Sequence, residues 1–365
     1  MLELKRNSLS FSFPEVHTDA KVDINFQRTL RIPDDAKNYP LPPGLGSFPV
    51  RLVDDFKDRV PAKWTEHGGV MLPLFQSEAL WLQFSAHSNY RRSASGYPFA
   101  LKVGTGKVSA VTGELWSDGL TAKDYLVVPP QPWLDGYVVE DGVVRQFVAA
   151  PLGWGFSAEE QITGKAEHGG IQLEVIPMKA EVYNRRFPER EVKTMGVVTR
   201  SCSVQSFGEA VYSACYETAS LNFDMERSVE VQSMSLAPGG RMTQQIHEDP
   251  YDMSDWDFDN KTRVFVHLAN SMVWKAITKH DPPHPPPTAA EYTAHGLPWF
   301  EHYTDNAKTL KGTDKLASMK SVMAMGFQKG LGILPENKPA EIKPEKVAQL
   351  ADKPKNPNEV REGRW

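Results

Sequence analysis

Short runs in which apolar and polar residues alternate restrict the fold of this chain more than any other feature of its sequence. The run Ser8–Phe13 has Leu or Phe at every second position, and Val22–Ile32 continues the alternation over a longer stretch. A period of two places the apolar side chains on one face of a β-strand. Further short apolar runs follow at close intervals between residues 70 and 176. These runs predict antiparallel β-structure in the first half of the chain.

Turn residues separate the predicted strands. Asp141-Gly142 lies between two apolar runs, and both residues tolerate the positive φ that a two-residue hairpin needs. The chain contains 26 Gly and 28 Pro residues, and these residues crowd the segment 33–49 so strongly that a regular element does not fit there. Strands at regular spacing with turns between them indicate a mainly β fold, either a β-sandwich or a distorted barrel.

The pattern changes after Asn270. Helical spacing of apolar residues predicts short helices within the segment 271–330, as an appendage to the β-rich domain. From Pro335 onward the chain is rich in Lys, Glu, Pro and Asn and poor in apolar residues, which predicts a flexible tail over 335–365. We therefore expect a single large domain over residues 1–334. A division into two domains near residue 190 is the alternative.

Three further segments carry local predictions. Ala237-Pro-Gly-Gly240 predicts a turn, and the charged segment Glu181–Lys193 predicts an exposed connection. Lys102–Lys107 resembles a phosphate-binding loop, but Leu101 and Val108 stand where that motif needs Gly and Ser or Thr. The segment is therefore predicted to be a glycine-kinked turn between two strands.

Charge and cysteine content limit the classes of partner and compartment. The net charge of −5 gives no support for nucleic-acid binding, and the chain has no run of about 18 apolar residues that would span a membrane. The N-terminus lacks the apolar core of a signal peptide. We therefore expect a soluble cytoplasmic protein in which Cys202 and Cys215 are reduced thiols.

Tryptophan-bearing loops are the first candidate binding site. Trp116, Trp133 and Trp154 lie in or beside segments rich in Gly, Pro and Asp. Indole rings together with carboxylates suit ligands that are partly polar and partly apolar, although such rings can instead cap the β core. In a sandwich, two predicted strands between Trp133 and Trp154 place both rings at the same end, and Trp116 at the other. The predicted ligand-binding residues are Trp133, Asp135, Trp154, Glu159 and His168.

Polar residues inside or beside apolar runs are the second candidate. In Arg145-Gln146 and in Glu159-Glu160-Gln161, alternation predicts that one side chain of each set points inward. A buried charge needs a partner, so a structural ion pair competes with a catalytic carboxylate as the interpretation. A carboxylate-based or metal-assisted hydrolase would use Glu159, Glu160, Asp135 and His168.

An acidic segment is the candidate for a metal site. Asp255, Asp257 and Asp259 alternate as the first three ligands of an EF-hand do, but Asn260 and Val266 stand where that loop needs Gly and Glu. The EF-hand is thus excluded. A Ca²⁺ site on an irregular β-loop remains as an alternative to an acidic surface loop, and the sequence indicates no other cofactor.

Four segments of the chain carry a resemblance: Phe26–Asp35, Tyr39–Gly46, Val144–Gly153 and His295–Phe300. They resemble a family of uncharacterised bacterial and fungal proteins. The resemblance covers most of residues 20–310, and it implies no activity, cofactor or site residue. From the residues themselves we expect a β-rich binding or structural protein with a small-molecule or protein partner. An enzyme is the alternative.

Overall fold

The computed structural model describes residues 1–89, 91–93, 95–121, 123–189, 233–304, 308–331 and 335–350. Cys202 and Cys215 therefore lie outside the described residues. The strands are β1 (Leu2–Lys5), β2 (Ser8–Ser12), β3 (Lys21–Thr29), β4 (Asn38–Tyr39), β5 (Gly44–Ser47), β6 (Arg51–Leu52), β7 (Val70–Leu74), β8 (Ala79–Ala86), β9 (Phe99–Thr105), β10 (Val108–Ser109), β11 (Leu126–Val128), β12 (Trp133–Leu134), β13 (Gly136–Glu140), β14 (Val143–Pro151), β15 (Ile171–Pro177), β16 (Ser233–Thr243), β17 (Thr262–Asn270), β18 (Trp299–His302) and β19 (Val347–Leu350). The helices are α1 (Ala62–His67), α2 (Ala158–Thr163), α3 (Ala180–Arg186), α4 (Ser271–Thr278), α5 (Ala289–Ala294), α6 (Asp314–Ala317) and α7 (Val322–Gln328).

The fold is mainly β, as the sequence predicts. An antiparallel path runs through β1, β2, β3, β8, β14, β16, β17, β15 and β9, each strand being hydrogen-bonded to the next. β13 pairs with β14 at the Asp141-Gly142 hairpin, and the amide of Val138 in β13 donates to the carbonyl of Ala110 just after β10. Parallel pairs join β4 to β16, β7 to β17 and β18 to β19.

The alternation of apolar and polar residues places the apolar side chains of β2 and β3 in the core, as expected. Leu9 and Phe11 in β2, and Val22, Ile24 and Phe26 in β3, are almost fully buried, whereas the residues between them are partly exposed. Each such side chain contributes roughly 1.5–3 kcal/mol on burial. The same hydrophobic core contains residues from both sides of residue 190.

A β-bulge replaces the turn predicted at Ala237–Gly240. β16 runs through these residues without a break, and Gly239 and Gly240 together lie opposite Gln146 of β14. A Cβ atom on Gly239 would lie 2.5 Å from Cγ2 of Val148, and one on Gly240 would lie 2.3 Å from the carbonyl oxygen of Pro33. The two glycines therefore permit close packing rather than a change of chain direction.

Two helices form where the sequence analysis expects other structure. Glu159-Glu160-Gln161, expected inside or beside a β run, lie in α2, whose N-terminus is closed by a reciprocal capping box between Ser157 and Glu160. Residues 181–186 of the segment expected to be an exposed connection form part of α3, because Val182 and Tyr183 are buried against the core.

Part of the segment expected to be a flexible tail is folded against the domain. Ala340 belongs to the core, and Ile342 and Val347 pack against it. The guanidinium of Arg31 donates to Oδ1 of Asn337 at 3.0 Å, and β19 pairs with β18. The composition of 335–365 as a whole conceals these few apolar residues, which occur close together between 340 and 350. No helix in the described ranges is long and apolar enough to span a membrane.

We predict that a chain ending at residue 334 is less stable than the full chain by about 2–4 kcal/mol, because it loses core contacts and leaves the buried Arg31 without Asn337. Urea unfolding measures the difference. A chain ending at residue 350 is the control, since it keeps every contact described above. Equal stability of the two truncated chains would contradict the docking of 335–350.

Candidate functional site

Glu159 and His168, both predicted site residues, lie together. The carboxylate of Glu159 is buried at the start of α2, where Oε2 accepts hydrogen bonds from the amides of Gly169 at 2.9 Å and His168 at 3.3 Å. Its other oxygen, Oε1, lies 2.9 Å from Nδ1 of His168. Gly106 covers this carboxylate, since a Cβ atom there would lie 2.4 Å from Oε2. The contacts fix the turn before β15 and orient the imidazole.

Glu159 and His168, which we call the Glu159–His168 dyad, leave one ring nitrogen of the imidazole for proton transfer. The side chain of His168 is 19% exposed, and Nδ1 is engaged by the carboxylate, so Nε2 is the atom that could accept a proton. Burial and the nearby His168 lower the pKa of His67. Among the residues that the structure describes, no hydroxyl or thiol hydrogen-bonds to His168, so the third member of a nucleophilic triad is not in place.

Trp133 and Asp135 also lie together, but they face protein. The indole of Trp133 packs edge-on against Trp81 and His302, with ring centroids 6.4 and 4.9 Å away. The adjoining cavity has a volume of about 10 Å³, roughly enough for one water molecule. Asp135 is buried, and its Oδ2 atom has no hydrogen-bond partner in the described part of the chain.

The remaining tryptophans are separate from this pair. Trp133 pairs with Gln83 of β8, whereas Val148 pairs with Ala79. The end of β14 at Pro151 therefore lies about 23 Å from Trp133 at about 3.3 Å per residue. Trp154 follows that end by three residues and is 47% exposed, and no ring contact joins it to Trp133 in the described part of the chain.

Trp116 is held by cations of the protein. Its ring lies against Gly104, with Nζ of Lys102 and the guanidinium carbon of Arg263 each 4.9 Å from a ring centroid. Such contacts stabilise the loop over β9. The ring therefore serves the packing of this loop.

Two of the three aspartates proposed for Ca²⁺, Asp255 and Asp257, have other partners. Asp255 accepts a hydrogen bond from Arg186 at 2.8 Å, and Asp257 accepts from Asn260 at 2.9 Å and from the amide of Asp259. In the described ranges no group of three or more His, Cys, Asp or Glu side chains is arranged to hold a metal ion.

A separate cleft lies between the bulge of β14 and β16 and the helix α7. Its volume is about 630 Å³, within the range of roughly 300–1,000 Å³ typical of ligand sites. We call it the Arg145 cleft. It is lined by Asp34, Asp35, Ala36, Asn38, Arg145, Arg241, Ser321, Met323, Ala324 and Phe327.

Arg145 is the unpaired charge of this cleft. Its side chain is partly buried, Nε is buried without a hydrogen-bond partner, and within the described residues its guanidinium forms no ion pair. Burial lowers the pKa of Arg145; the nearby Asp34 acts in the opposite direction, and Arg241 lowers the pKa further. A partly desolvated cation without a partner raises the free energy of the folded state, and an anion in the cleft would lower it.

Arg241, directly opposite Arg145 in the sheet, is fully paired. Its two terminal nitrogens donate to the carboxylate of Glu140 at 2.9 and 2.7 Å, and its Nε donates to Asn38 at 2.9 Å. The bidentate pair raises the pKa of Arg241. The two arginines thus differ: one is satisfied by the protein and the other is available to a ligand.

Gln146 and the bulge position the acidic wall of the cleft. The Gln146 side chain is fully buried, accepts from the amide of Ile32 at 3.0 Å and donates to the carbonyl of Leu30 at 2.8 Å. Gly240 lets the Pro33 backbone approach β16. Asp34 follows directly and lines the cleft beside Arg145.

The sequence predicts part of this site. Alternation predicts that one of Arg145 and Gln146 points inward, and the buried side chain is that of Gln146. Asp34 carried no signal, because it lies in the segment 33–49, where the Gly and Pro content predicts no regular element. That prediction is wrong for part of the segment, since the short strands β4 and β5 form there. The glycine pair of β16, Gly239 and Gly240, was the sequence signal for the approach of the Pro33 backbone to this strand, but a glycine pair equally predicts a turn.

We predict that Asp135→Asn changes the pH dependence of stability. Burial raises the pKa of Asp135 to about 7, partly offset by a hydrogen bond from Trp133, against about 3.9 in an unfolded chain. The folded form binds the proton of the Asp135 carboxyl more tightly than the unfolded chain does. Below about pH 4 the carboxyl is protonated in both forms and does not lower the free energy of unfolding. It destabilises the fold increasingly as the pH rises to about 7, with the full penalty present above that. The variant should be more stable than the unmodified protein by about 2–4 kcal/mol at pH 8 and nearly equal at pH 4.

Urea unfolding at both pH values tests this prediction. Asp54→Asn is the control, because its carboxylate is exposed on the surface and the substitution should have no pH-dependent effect of this size. Parallel stability curves for Asp135→Asn and the unmodified protein would contradict the burial argument.

Comparison of the chain with protein-family models, with curated proteins and with solved structures finds no match. The function therefore has to be argued from the residues themselves, and the Arg145 cleft combines volume, an unpaired charge and an apolar wall.

Proposed function

We propose that the protein is a binding protein for small organic anions that carry an apolar group, and that the Arg145 cleft is its binding site. The observation that carries the proposal is the unpaired, partly buried guanidinium of Arg145. Arginine binds carboxylate and phosphate groups through several N–H donors at once. A bound anion would form the ion pair that the described residues of the protein do not form with Arg145.

The opposite wall of the cleft suits the apolar part of such a ligand. Met323, Ala324 and Phe327 of α7 line it, and Phe327 is 50% exposed. Ser321 caps α7 through a hydrogen bond from the amide of Ala324 at 3.2 Å, which fixes the start of the helix. A ligand with a charged end and an apolar body would contact both walls.

An enzymatic function is the second candidate, and the Glu159–His168 dyad supports it. The buried carboxylate orients His168 through Nδ1 and leaves Nε2 for proton transfer. The binding function has the stronger support, because the amides of the 168–169 turn already account for the buried Glu159.

We predict that 3-phenylpropanoate binds and that the neutral 3-phenylpropanamide does not, because only the carboxylate pairs with Arg145. Isothermal titration calorimetry measures both affinities. The variant Arg145→Gln should weaken binding of the carboxylate at least tenfold. It should leave the free energy of unfolding unchanged or raise it slightly, since the described structure gives Arg145 no ion pair to lose.

Arg51→Gln is the matched control for this variant. Arg51 is a partly exposed arginine on a different strand pair, and its Nη1 donates only to a backbone carbonyl. Binding of 3-phenylpropanoate should be unchanged in this variant. Equal affinity for the carboxylate and the amide, or unaltered binding by Arg145→Gln, would reject the proposed function.

A further inference from the structure

We infer that the ligand of the Arg145 cleft is a zwitterion of the α-amino acid type, with a carboxylate facing Arg145, an ammonium group facing Asp34 and an apolar side chain on α7. This inference rests on the proposed function and narrows its ligand class. It follows from the way in which the charges around the cleft pair with one another.

Two further arginines near the cleft are not available to its ligand. Arg241 pairs with Glu140 as described above. Arg31 is almost fully buried, donates to Asn337 and is not among the residues that line the cleft. Arg145 is therefore the arginine of the cleft that a ligand anion can pair with.

Asp35 is also accounted for by the protein. Its Oδ2 atom accepts a hydrogen bond from the hydroxyl of Tyr39 at 2.9 Å, and its Oδ1 accepts from the amide of Lys37 at 3.2 Å. The Lys37 ammonium lies 3.7 Å from the same carboxylate. Both oxygens of Asp35 are therefore engaged.

Asp34 and Arg145 remain as a separated pair of opposite charges. Asp34 is 9% exposed, and its Oδ2 atom accepts only from the amide of Met323, at 3.3 Å, among the residues that the structure describes. Asp34 is close enough to Arg145 to act on its charge, but the two side chains do not form an ion pair. Both line the same cleft.

A zwitterion can pair with both Arg145 and Asp34, whereas an anion without an ammonium group can pair only with Arg145. A carboxylate beside Arg145 would also approach the like charge of Asp34, which weakens its binding. An ammonium group on the neighbouring carbon atom reverses the sign of that second interaction. The cleft would then hold a ligand of zero net charge against one cation and one anion of the protein.

Three ligands with the same phenyl group test the inference on the unmodified protein by calorimetry. L-phenylalanine carries both charges, 3-phenylpropanoate carries only the carboxylate and 2-phenylethylamine carries only the ammonium group. We expect L-phenylalanine to bind at least tenfold more tightly than either of the others. The comparison requires no variant, so it stands whether or not a substitution impairs folding.

Asp34→Asn tests the residue. The amide oxygen can still accept from Met323, while the negative charge is lost. L-phenylalanine should bind this variant no more tightly than 3-phenylpropanoate does. The affinity for 3-phenylpropanoate should be equal or higher, and this shows that the cleft is intact. Asp54→Asn is the control, because this exposed carboxylate does not line the cleft; it should keep the preference for L-phenylalanine.

The outcomes separate this inference from the proposed function. Equal affinities for L-phenylalanine and 3-phenylpropanoate, both lost in Arg145→Gln, would overturn the zwitterion and leave anion binding standing. Binding of none of the three ligands, or of 2-phenylethylamine alone, would overturn both. A preference for L-phenylalanine that survives in Asp34→Asn would overturn the role of Asp34.

Discussion

The close approach of one backbone segment to a β-bulge is the constraint on which the Arg145 cleft depends. Gly239 and Gly240 lie opposite the single residue Gln146, and a side chain on Gly240 would collide with the carbonyl oxygen of Pro33. A bulge changes the direction of the side chains beside it. Alternation along β14 points Arg145 and the buried Gln146 to opposite faces, and Gln146 binds the segment that leads to Asp34. One irregularity of the sheet thus brings together an acidic wall and a basic wall.

Buried polar contacts hold the end of β3 and the segment that follows it. Arg28 pairs with Glu78 at 2.9 Å, and Arg31 donates to Asn337. Both arginines are almost fully buried, and burial of Glu78 raises the pKa of its carboxyl even though Arg28 acts against the rise. Such pairs contribute little net stability compared with apolar residues of the same size, but removing one partner is costly. Their main effect here is therefore to fix the position of the chain that leads to Asp34.

The sequence predicts the sheet far better than it predicts the site. Period-two alternation requires only that one face be buried, so β2 and β3 were identifiable from their own residues. Helix α2 was identifiable too, because Ser157 and Glu160 form a capping box whose spacing is visible in the sequence. The Arg145 cleft was not identifiable from the sequence, because it requires Asp34 and Arg145 to lie side by side. They do so because Gly239 and Gly240 let the Pro33 backbone approach β16. In the sequence, such a glycine pair equally predicts a turn.

Aromatic content and unpaired charge indicate different things in this fold. Trp133 and Trp116 suggested a binding surface, yet their rings contact other rings and cations of the protein. An indole gains from burial in the protein core as much as from burial against a ligand, so its presence does not distinguish the two. A guanidinium is different, because a fold that partly buries it without a partner loses free energy unless something else supplies the charge. Arg145 is therefore a stronger indicator of a ligand than any tryptophan of the predicted loops.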